Sequence, residues 1–564
     1  MNVSTAHPSP ETYGHPVPWT THFAPMTLPE MFARSVSRRG DATLLHFMGR
    51  TYSYAQLYAE AQAFAADLLA RGIEKGDRVG LFLPNVPIYV SAYYGAMMAG
   101  ATVVNFSPLY TVEELSAQVA DSGTRLLVTV DVPALYETAR KVLEVSQLET
   151  LVVGELAAML PTLKRIGMKL LKRSDIARVD VGYGVVRWAD SVAARGRDVR
   201  PVDLEPEDIA LLQYTGGTTG TPKGAMLSHA NLSINAQQVA GLNPFGVPES
   251  EIFMGALPMF HVFANTALLN HTVVTGGSIA IVPRFDAGQV LETIEKVRAT
   301  GFPGVPTMFQ ALLDHPKLES TDLSSLKVCI SGGAPLPAPL RDKWEARTGV
   351  RLVEGYGLTE SSGVVSVNPY AGHRKPGTIG QVVMGTEILL LDKEDATKIV
   401  PEGEPGELAV HGPQIMQGYW NRPDAGAKVF VEHYGKTWLR TGDVATVDDE
   451  GFLQIVDRIK DMIAVGGFKV FPSEVEKVLL EHPGVKEALV LGLPDDYRGE
   501  SPAAYVTLND GADTSGEQLA EWLNARVGKH ERVSGVTVRD QLPKTMIGKL
   551  DRKALKAEIL GEDA

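Results

Sequence analysis

Tyr214-Thr215-Gly216-Gly217-Thr218-Thr219-Gly220-Thr221-Pro222-Lys223-Gly224 holds more chemistry than any other run of this chain. Three glycines within five positions let backbone N–H groups turn toward one point without Cβ interference. Threonine hydroxyls and the Lys223 ammonium can converge there, which is the equipment for holding a polyphosphate. A flexible surface loop would share this composition. However, the apolar run Ile209-Ala210-Leu211-Leu212-Gln213-Tyr214 in front of it reads as a buried strand feeding the loop. The run is not the P-loop pattern G-x-x-x-x-G-K-[ST], because Pro222 stands where the second glycine belongs.

The elements that must position this loop are legible around it. From about 42 to 283, helical stretches alternate with short Val/Ile/Leu-rich segments at 125–130, 150–153 and 278–282, which implies α/β layers with largely parallel sheets. The uncharged stretch 81–112 could pass for a membrane span. Pro84, Asn85, Pro87, Asn105 and Pro108 interrupt it, so it reads as a buried βαβ unit: strand 78–83, helix through 93–98, strand 101–106. Between 387 and 457 short strands alternate with Gly, Pro and Asp, the texture of a β-rich subdomain. Beyond 458 a smaller α+β unit begins, with helices at 472–482 and 515–527 and strands at 486–492, 503–508 and 534–538. The expected fold is therefore multi-domain α/β, with a large unit at 1–457, a hinge at 458–461 and a small mobile unit at 462–564.

Composition bounds the function. The 564 residues carry a net charge of −14, so wholesale nucleic-acid binding is not expected and any anionic ligand needs a local site. The single cysteine, Cys329, excludes an internal disulfide and a thiolate metal cluster, and agrees with a reducing compartment. Residues 1–23 lack a basic start and an apolar segment, so no secretory leader is expected and a cytoplasmic setting follows. The segment 163–173 is a local exception to the acidic balance. As a helix it would gather Leu163, Ile166 and Leu170 on one face, with Lys164, Arg165, Lys169 and Lys172 mostly opposite. It suits either peripheral contact with an anionic inner-membrane surface or an ordinary solvated helix face. A homodimer is compatible with the sequence.

Seven further segments follow the glycine-rich loop in order: Pro258-Met259-Phe260-His261, Ser331-Gly332-Gly333-Ala334-Pro335-Leu336, Glu354-Gly355-Tyr356-Gly357-Leu358-Thr359-Glu360, Thr441-Gly442-Asp443, Asp457-Arg458-Ile459-Lys460-Asp461, a run from Gly466-Gly467-Phe468 to Glu476, and Pro543-Lys544-Thr545-Met546-Ile547-Gly548-Lys549. With the loop they resemble the adenylate-forming superfamily of acyl-CoA synthetases, peptide-synthetase adenylation domains and firefly luciferase. Over about 27–555 the pattern is most like bacterial long-chain fatty acyl-CoA synthetases.

The resemblance implies ATP, Mg²⁺ and CoA, with a fatty acid as substrate. It assigns Thr215, Gly216, Gly217, Thr218, Thr219, Gly220 and Lys223 to the phosphates. Gly332, Gly333, Ala334, Gly355, Tyr356 and Gly357 would surround adenine, and Asp443 and Arg458 the ribose. Glu360 would hold Mg²⁺ and Thr359 the metal-bound phosphates. His261 would line the mouth of the acyl site. Lys549 would be the catalytic cation, placed between an attacking carboxylate and the α-phosphate. Lys460 falls in the hinge segment, and Gly466 and Gly467 would line the pantetheine path after the small domain turns. The small glycines Gly332, Gly333 and Gly357 are expected to keep the acyl mouth open. No carboxylate follows His261 through Ala267, which disfavours an amino-acid substrate. Aryl and dicarboxylate CoA ligases, and relatives that form acyl-AMP without using CoA, share these motifs. The chain departs from the family at Asp551-Arg552, where an Arg-rich continuation is commoner, and this bears on the charge near Lys549.

Overall fold

The computed structural model describes residues 9–171, 173–193, 202–215, 222–465, 468–495, 497–545 and 548–561, with backbone alone for 169–171 and 173. Among these, two large sheets of mainly parallel strands carry the first two-thirds of the chain. One runs in the order Val185–Arg187, Thr150–Gly154, Thr124–Val130, Arg78–Leu81, Thr102–Asn105, Ile209–Thr215, Lys223–Ser228. Only its last pair is antiparallel, a hairpin whose arms meet at Thr215 and Lys223. The other sheet contains Leu352–Tyr356, Val328–Ser331, Gly301–Gly304 and Ile252–Gly255 at its centre. There Gly301 sits opposite Val328 and Gly304 opposite Ser331 in parallel register.

The uncharged stretch near 81–112 is a βαβ unit, as its prolines suggested. Its helix starts earlier than expected, spanning Pro87–Met98, because Pro87 occupies the first helical turn, where its missing N–H costs nothing. Its first eleven residues are all buried, wedged between the sheets and the helix Tyr54–Ala70. No described helix is long and apolar enough to cross a membrane.

A five-stranded antiparallel sheet follows, dominated by the long strand Lys436–Val447 paired with Gly406–His411, Phe430–His433 and Leu453–Arg458. Beyond it, strands Val485–Asp495 and Gly499–Leu508 form a hairpin flanked by helices Pro472–Leu480 and Gly516–Asn524. This last unit has cores of its own. One joins Ile463, Val475, Leu479, Val490 and Leu519, and another joins Leu491, Tyr505, Leu542 and Leu555.

The basic helix spans Thr162–Leu171, close to its expected bounds. Leu163 and Ile166 do not pack inward, being 85% and 51% exposed, whereas Met168 packs against the large core. The side chains of Lys169, Leu170 and Lys172 lie outside what is described.

Candidate active site

Parallel strands place their following loops at one sheet edge, and that edge carries the site. Gly332, Gly333 and Ala334 follow strand Val328–Ser331. Gly357, Thr359 and Glu360 follow Leu352–Tyr356, and the hairpin brings Thr215 and Lys223 alongside. These residues, with His261, Gly355, Tyr356, Asp443, Arg458, Lys460 and Lys549, line a single cavity of about 1670 Å³ that runs between the large and small units. Gly216, Gly217, Thr218, Thr219 and Gly220, and likewise Gly466 and Gly467, lie outside the described residues.

Asp443 anchors one wall. It is 1% exposed, and its Oδ2 accepts from the Tyr356 hydroxyl at 2.5 Å. Arg458 Nε lies 2.8 Å from Oδ1 as an ion pair whose geometry falls short of an aligned hydrogen bond, so Oδ1 keeps a lone pair for a further donor. Such an atom fits a ribose hydroxyl, because an unmade buried hydrogen bond is costly. Burial, then the Asp443 charge, push the Tyr356 phenol far above its ordinary value, so it stays a donor. The Asp443 charge in turn raises Arg458.

Glu360 Oε1 accepts from the Tyr419 hydroxyl at 2.7 Å, and the Tyr419 ring lies 5.3 Å below the Lys223 ammonium. Glu360 is thus held next to Lys223, and among the described residues its other oxygen has no hydrogen-bond donor. No group of three or more His, Cys, Asp or Glu among the described residues could hold a metal by itself. A lone carboxylate beside a phosphate loop is the donor set that suits Mg²⁺, which keeps waters and takes phosphate oxygens. Tyr419 carries no motif signal; it lies 59 positions beyond Glu360 in the chain, past strands Glu387–Leu391 and Gly406–His411, and only the fold brings the pair together.

His261 caps the next helical segment, its Nδ1 accepting from the Phe263 N–H at 3.2 Å. In the neutral ring the proton is therefore on Nε2. Burial, then the Lys549 charge, lower its pKa to about 3, so it is neutral at physiological pH. After it, Asn265–Asn270 winds as a π-helix, locked by Tyr93 donating to Asn265 at 2.9 Å and Tyr94 to Asn270 at 2.8 Å. Wide turns of this kind recur at functional sites. Glu354 holds the facing loop, its Oε1 accepting from the Leu336 N–H at 3.1 Å, while burial raises its pKa to about 8.

The small unit closes the cavity. Its terminal turn is pinned by the Thr545 N–H donating to the Lys549 carbonyl at 2.6 Å, with Gly548 at φ +81°. Across the gap the Thr307 hydroxyl donates to the Gly548 carbonyl at 2.7 Å, and Lys486 pairs with Asp314 at 2.8 Å. Lys549 consequently projects over Gly333, where an added Cβ would sit 2.7 Å from the lysine Cε. Burial, then Arg458, lower the Lys549 pKa to about 8.

The three small glycines all line the cavity but meet different neighbours. Gly333 makes room for Lys549. Gly357 lies against the Gly363 backbone, where a Cβ would be 2.1 Å from the carbonyl oxygen. Gly332 faces the Phe263 ring at 3.0 Å. Arg552, at the departure from the usual motif, turns inward and pairs with Asp461 at 2.9 Å and Glu476 at 2.5 Å. It ties the terminal turn to the segment at 459–461.

The family model described as AMP-binding enzyme matches residues 32–420, and that described as AMP-binding enzyme C-terminal domain matches 474–549. A long-chain-fatty-acid–CoA ligase of Bacillus subtilis (strain 168) is 38% identical over 97% of this chain and 97% of its own length. A feruloyl-CoA synthase of an Amycolatopsis species is 36% identical over 92% and 95%. The ATP-bound crystal structure of MatB from Rhodopseudomonas palustris superposes with a TM-score of 0.82 at 29% identity, covering 94% of this chain and 99% of that one. With both family models in sequence order on the two units that enclose one cavity, this chain belongs to the AMP-binding enzyme family.

Proposed function

We propose that the protein is an ATP-dependent acyl-CoA ligase acting on medium- and long-chain fatty acids. In the first half-reaction a carboxylate oxygen bonds to the α-phosphorus of ATP, and pyrophosphate leaves. In the second, the sulfur of CoA bonds to the acyl carbon, the thiol proton is lost and AMP leaves. Asp443 and Arg458 would take the ribose, the Tyr356 ring the base, and Thr215 and Lys223 the phosphates. Glu360 would hold Mg²⁺ with Thr359 beside it; when bound, the ion supplies positive charge against the phosphates. Lys549 would lie between carboxylate and α-phosphate, offsetting their repulsion where charge develops. Neutral His261, with its proton on Nε2, can donate to a carboxylate oxygen at the acyl mouth.

Lys549 cannot stay there while a thiol approaches, so the small unit would turn about Lys460, with 1–457 and 462–564 as the moving bodies. Their separate cores and the few contacts across the gap support this division.

The observation that carries the substrate class is the apolar arm of the cavity beyond Phe263, walled by Val239, Leu242, Ala267, Val328, Ile330 and Val364. A buried CH₂ contributes about 0.8 kcal/mol, or roughly fourfold in affinity, so such an arm favours aliphatic chains steeply. The likeness to a long-chain-fatty-acid–CoA ligase supports the same class, and the likeness to a feruloyl-CoA synthase makes aryl acids the comparison to test. AMP release should be measured across hexanoate to hexadecanoate, benzoate and ferulate, with and without CoA. We expect kcat/KM to rise from hexanoate toward dodecanoate or longer, benzoate to be poor, and thioester to form only with CoA. A maximum at an aromatic acid would overturn the fatty-acid reading, and AMP release indifferent to CoA would overturn the ligase step. The exposed Leu163 and Ile166 flanking Lys164 and Arg165 support peripheral contact with an anionic bilayer, testable by co-sedimentation with phosphatidylglycerol vesicles.

A further inference from the structure

The far end of the apolar arm is charged. Glu251 lines the cavity, is only 4% exposed, and accepts from Lys327 Nζ at 2.5 Å. Both residues immediately precede strands of the central sheet, Ile252–Gly255 and Val328–Ser331. Thr300 precedes the strand between them and binds each: its N–H donates to the Ile252 carbonyl at 2.7 Å, and its carbonyl accepts from the Lys327 N–H at 2.8 Å. The pair is therefore fixed at the sheet edge opposite the catalytic loops. The Lys327 ammonium also lies 5.9 Å from the centre of the Phe245 ring, which lines the arm.

The sheet measures the distance between mouth and pair. Along its strand, the five-residue step from Lys327 to Gly332 covers about 17 Å at about 3.3 Å per residue. The helical wall runs along the same arm, with Phe263, Ala267 and His271 lining it at four-residue spacing on either side of and within the π-helix Asn265–Asn270. An extended alkyl chain with C–C bonds of about 1.5 Å advances roughly 1.3 Å per carbon. About 10–14 carbons then bring a terminal methyl to Glu251 and Lys327. There the gain from burying a CH₂ ends, because a methyl pressed on the buried Glu251 carboxylate, whose partner Lys327 is half-buried, desolvates it and offers no hydrogen bond in return.

We infer that the Glu251–Lys327 ion pair is the floor of the acyl arm and sets its upper chain length. The inference rests on the fatty-acid reading above. The wild-type profile should rise about fourfold per CH₂ and break near 12–14 carbons. Removing one charge alone would strand the other, so the test is the paired variant Glu251→Gln/Lys327→Met, which keeps the side-chain sizes. Its kcat/KM for hexadecanoate should rise about tenfold or more over wild type, while octanoate, too short to reach the floor, stays within about twofold.

A break at the same length in both proteins overturns the floor and leaves the ligase reading standing. Failure of wild type with every fatty acid overturns both. Octanoate turnover shows whether the variant folds; if it does not, wild type decides. Tetradecanoate carrying a terminal diazirine, irradiated with ATP present, should label residues at 243–251 or Lys327, and labelling confined to other segments overturns the proposal.

Discussion

On the large-unit side of the cavity, Asp443 is 1% exposed and is gripped by Tyr356 at 2.5 Å and Arg458 at 2.8 Å, on the longest strand of its sheet. On the other side Lys549 arrives on a turn whose described residues reach the large unit through a neutral hydrogen bond at Thr307, with the Lys486–Asp314 pair nearby. The Asp443 wall, proposed to hold the nucleotide, is buried and cross-braced; Lys549, proposed as the catalytic cation, is delivered through contacts worth about 0.5–1.5 kcal/mol each. A wall built this way stays put through the reaction, whereas a group held this weakly can leave and return. The contrast is what two half-reactions sharing one acyl phosphate require.

The sharpest way to break the contrast is Lys549→Ala. We expect adenylation to fall by about 10³-fold, the scale of losing an electrostatic stabiliser of the transition state. Thioester formation from supplied acyl-AMP should remain near wild type. Equal loss of both, read by separate pyrophosphate-release and thioester assays, would show that the turn is a fixed part of the site.

Glu360→Gln probes the braced side and should cost about 10²-fold in turnover at limiting Mg²⁺, partly recovered at high Mg²⁺. Wild-type rates at limiting Mg²⁺ would remove Glu360 from the metal site.

Much of this arrangement was legible in the sequence, because its parts are local. A glycine-rich turn after an apolar run announces a strand-to-loop junction, and prolines within 81–112 mark strand and helix ends. What could not be read is what distant segments do to each other. Thr307 and Gly548 are 241 residues apart, and Tyr356 and Asp443 are 87 apart. The π-helix at Asn265–Asn270 is likewise invisible to periodicity, since Tyr93 and Tyr94 from another helix fix its asparagines. The glycine run at 332–333 showed where small residues sit, but only packing shows that one spares a ring and the other a lysine. Amphipathic spacing at 163–166 suggested an apolar face without saying what it meets, and the structure leaves that face in solvent.

A pH profile tests the delivered cation without mutation. Lys549 has its pKa lowered from 10.5 to about 8 in the closed arrangement, by burial first and Arg458 second. Closure therefore releases a proton between about pH 8 and 10.5, and in that window rising pH favours a closed form whose lysine is neutral. Only the protonated lysine can stabilise the transition state. The adenylation kcat/KM for ATP should then fall about tenfold between pH 8 and pH 9.5, as the charged fraction declines. Bound phosphates restore the charge, so at saturating ATP the fall should move to higher pH. His261, neutral above about pH 3, adds no inflection near neutrality. A profile flat to pH 10 in both regimes would mean that Lys549 is not buried during adenylation.

The smallest expected effect is also the most selective. Thr307→Val keeps the shape but removes the hydroxyl that donates to the Gly548 carbonyl at 2.7 Å. A neutral hydrogen bond contributes about 0.5–1.5 kcal/mol net, so the closed arrangement should weaken roughly two- to tenfold. Adenylation should slow by that factor. Thioester formation, which needs the turn withdrawn, should be unchanged or slightly faster. Thr307→Ser retains the donor and should recover the adenylation rate. Thr307 also lines the cavity, so an alternative role is to position the acid. That role predicts a raised KM for the acid and equal slowing of both half-reactions, whereas a docking contact leaves the second half-reaction untouched.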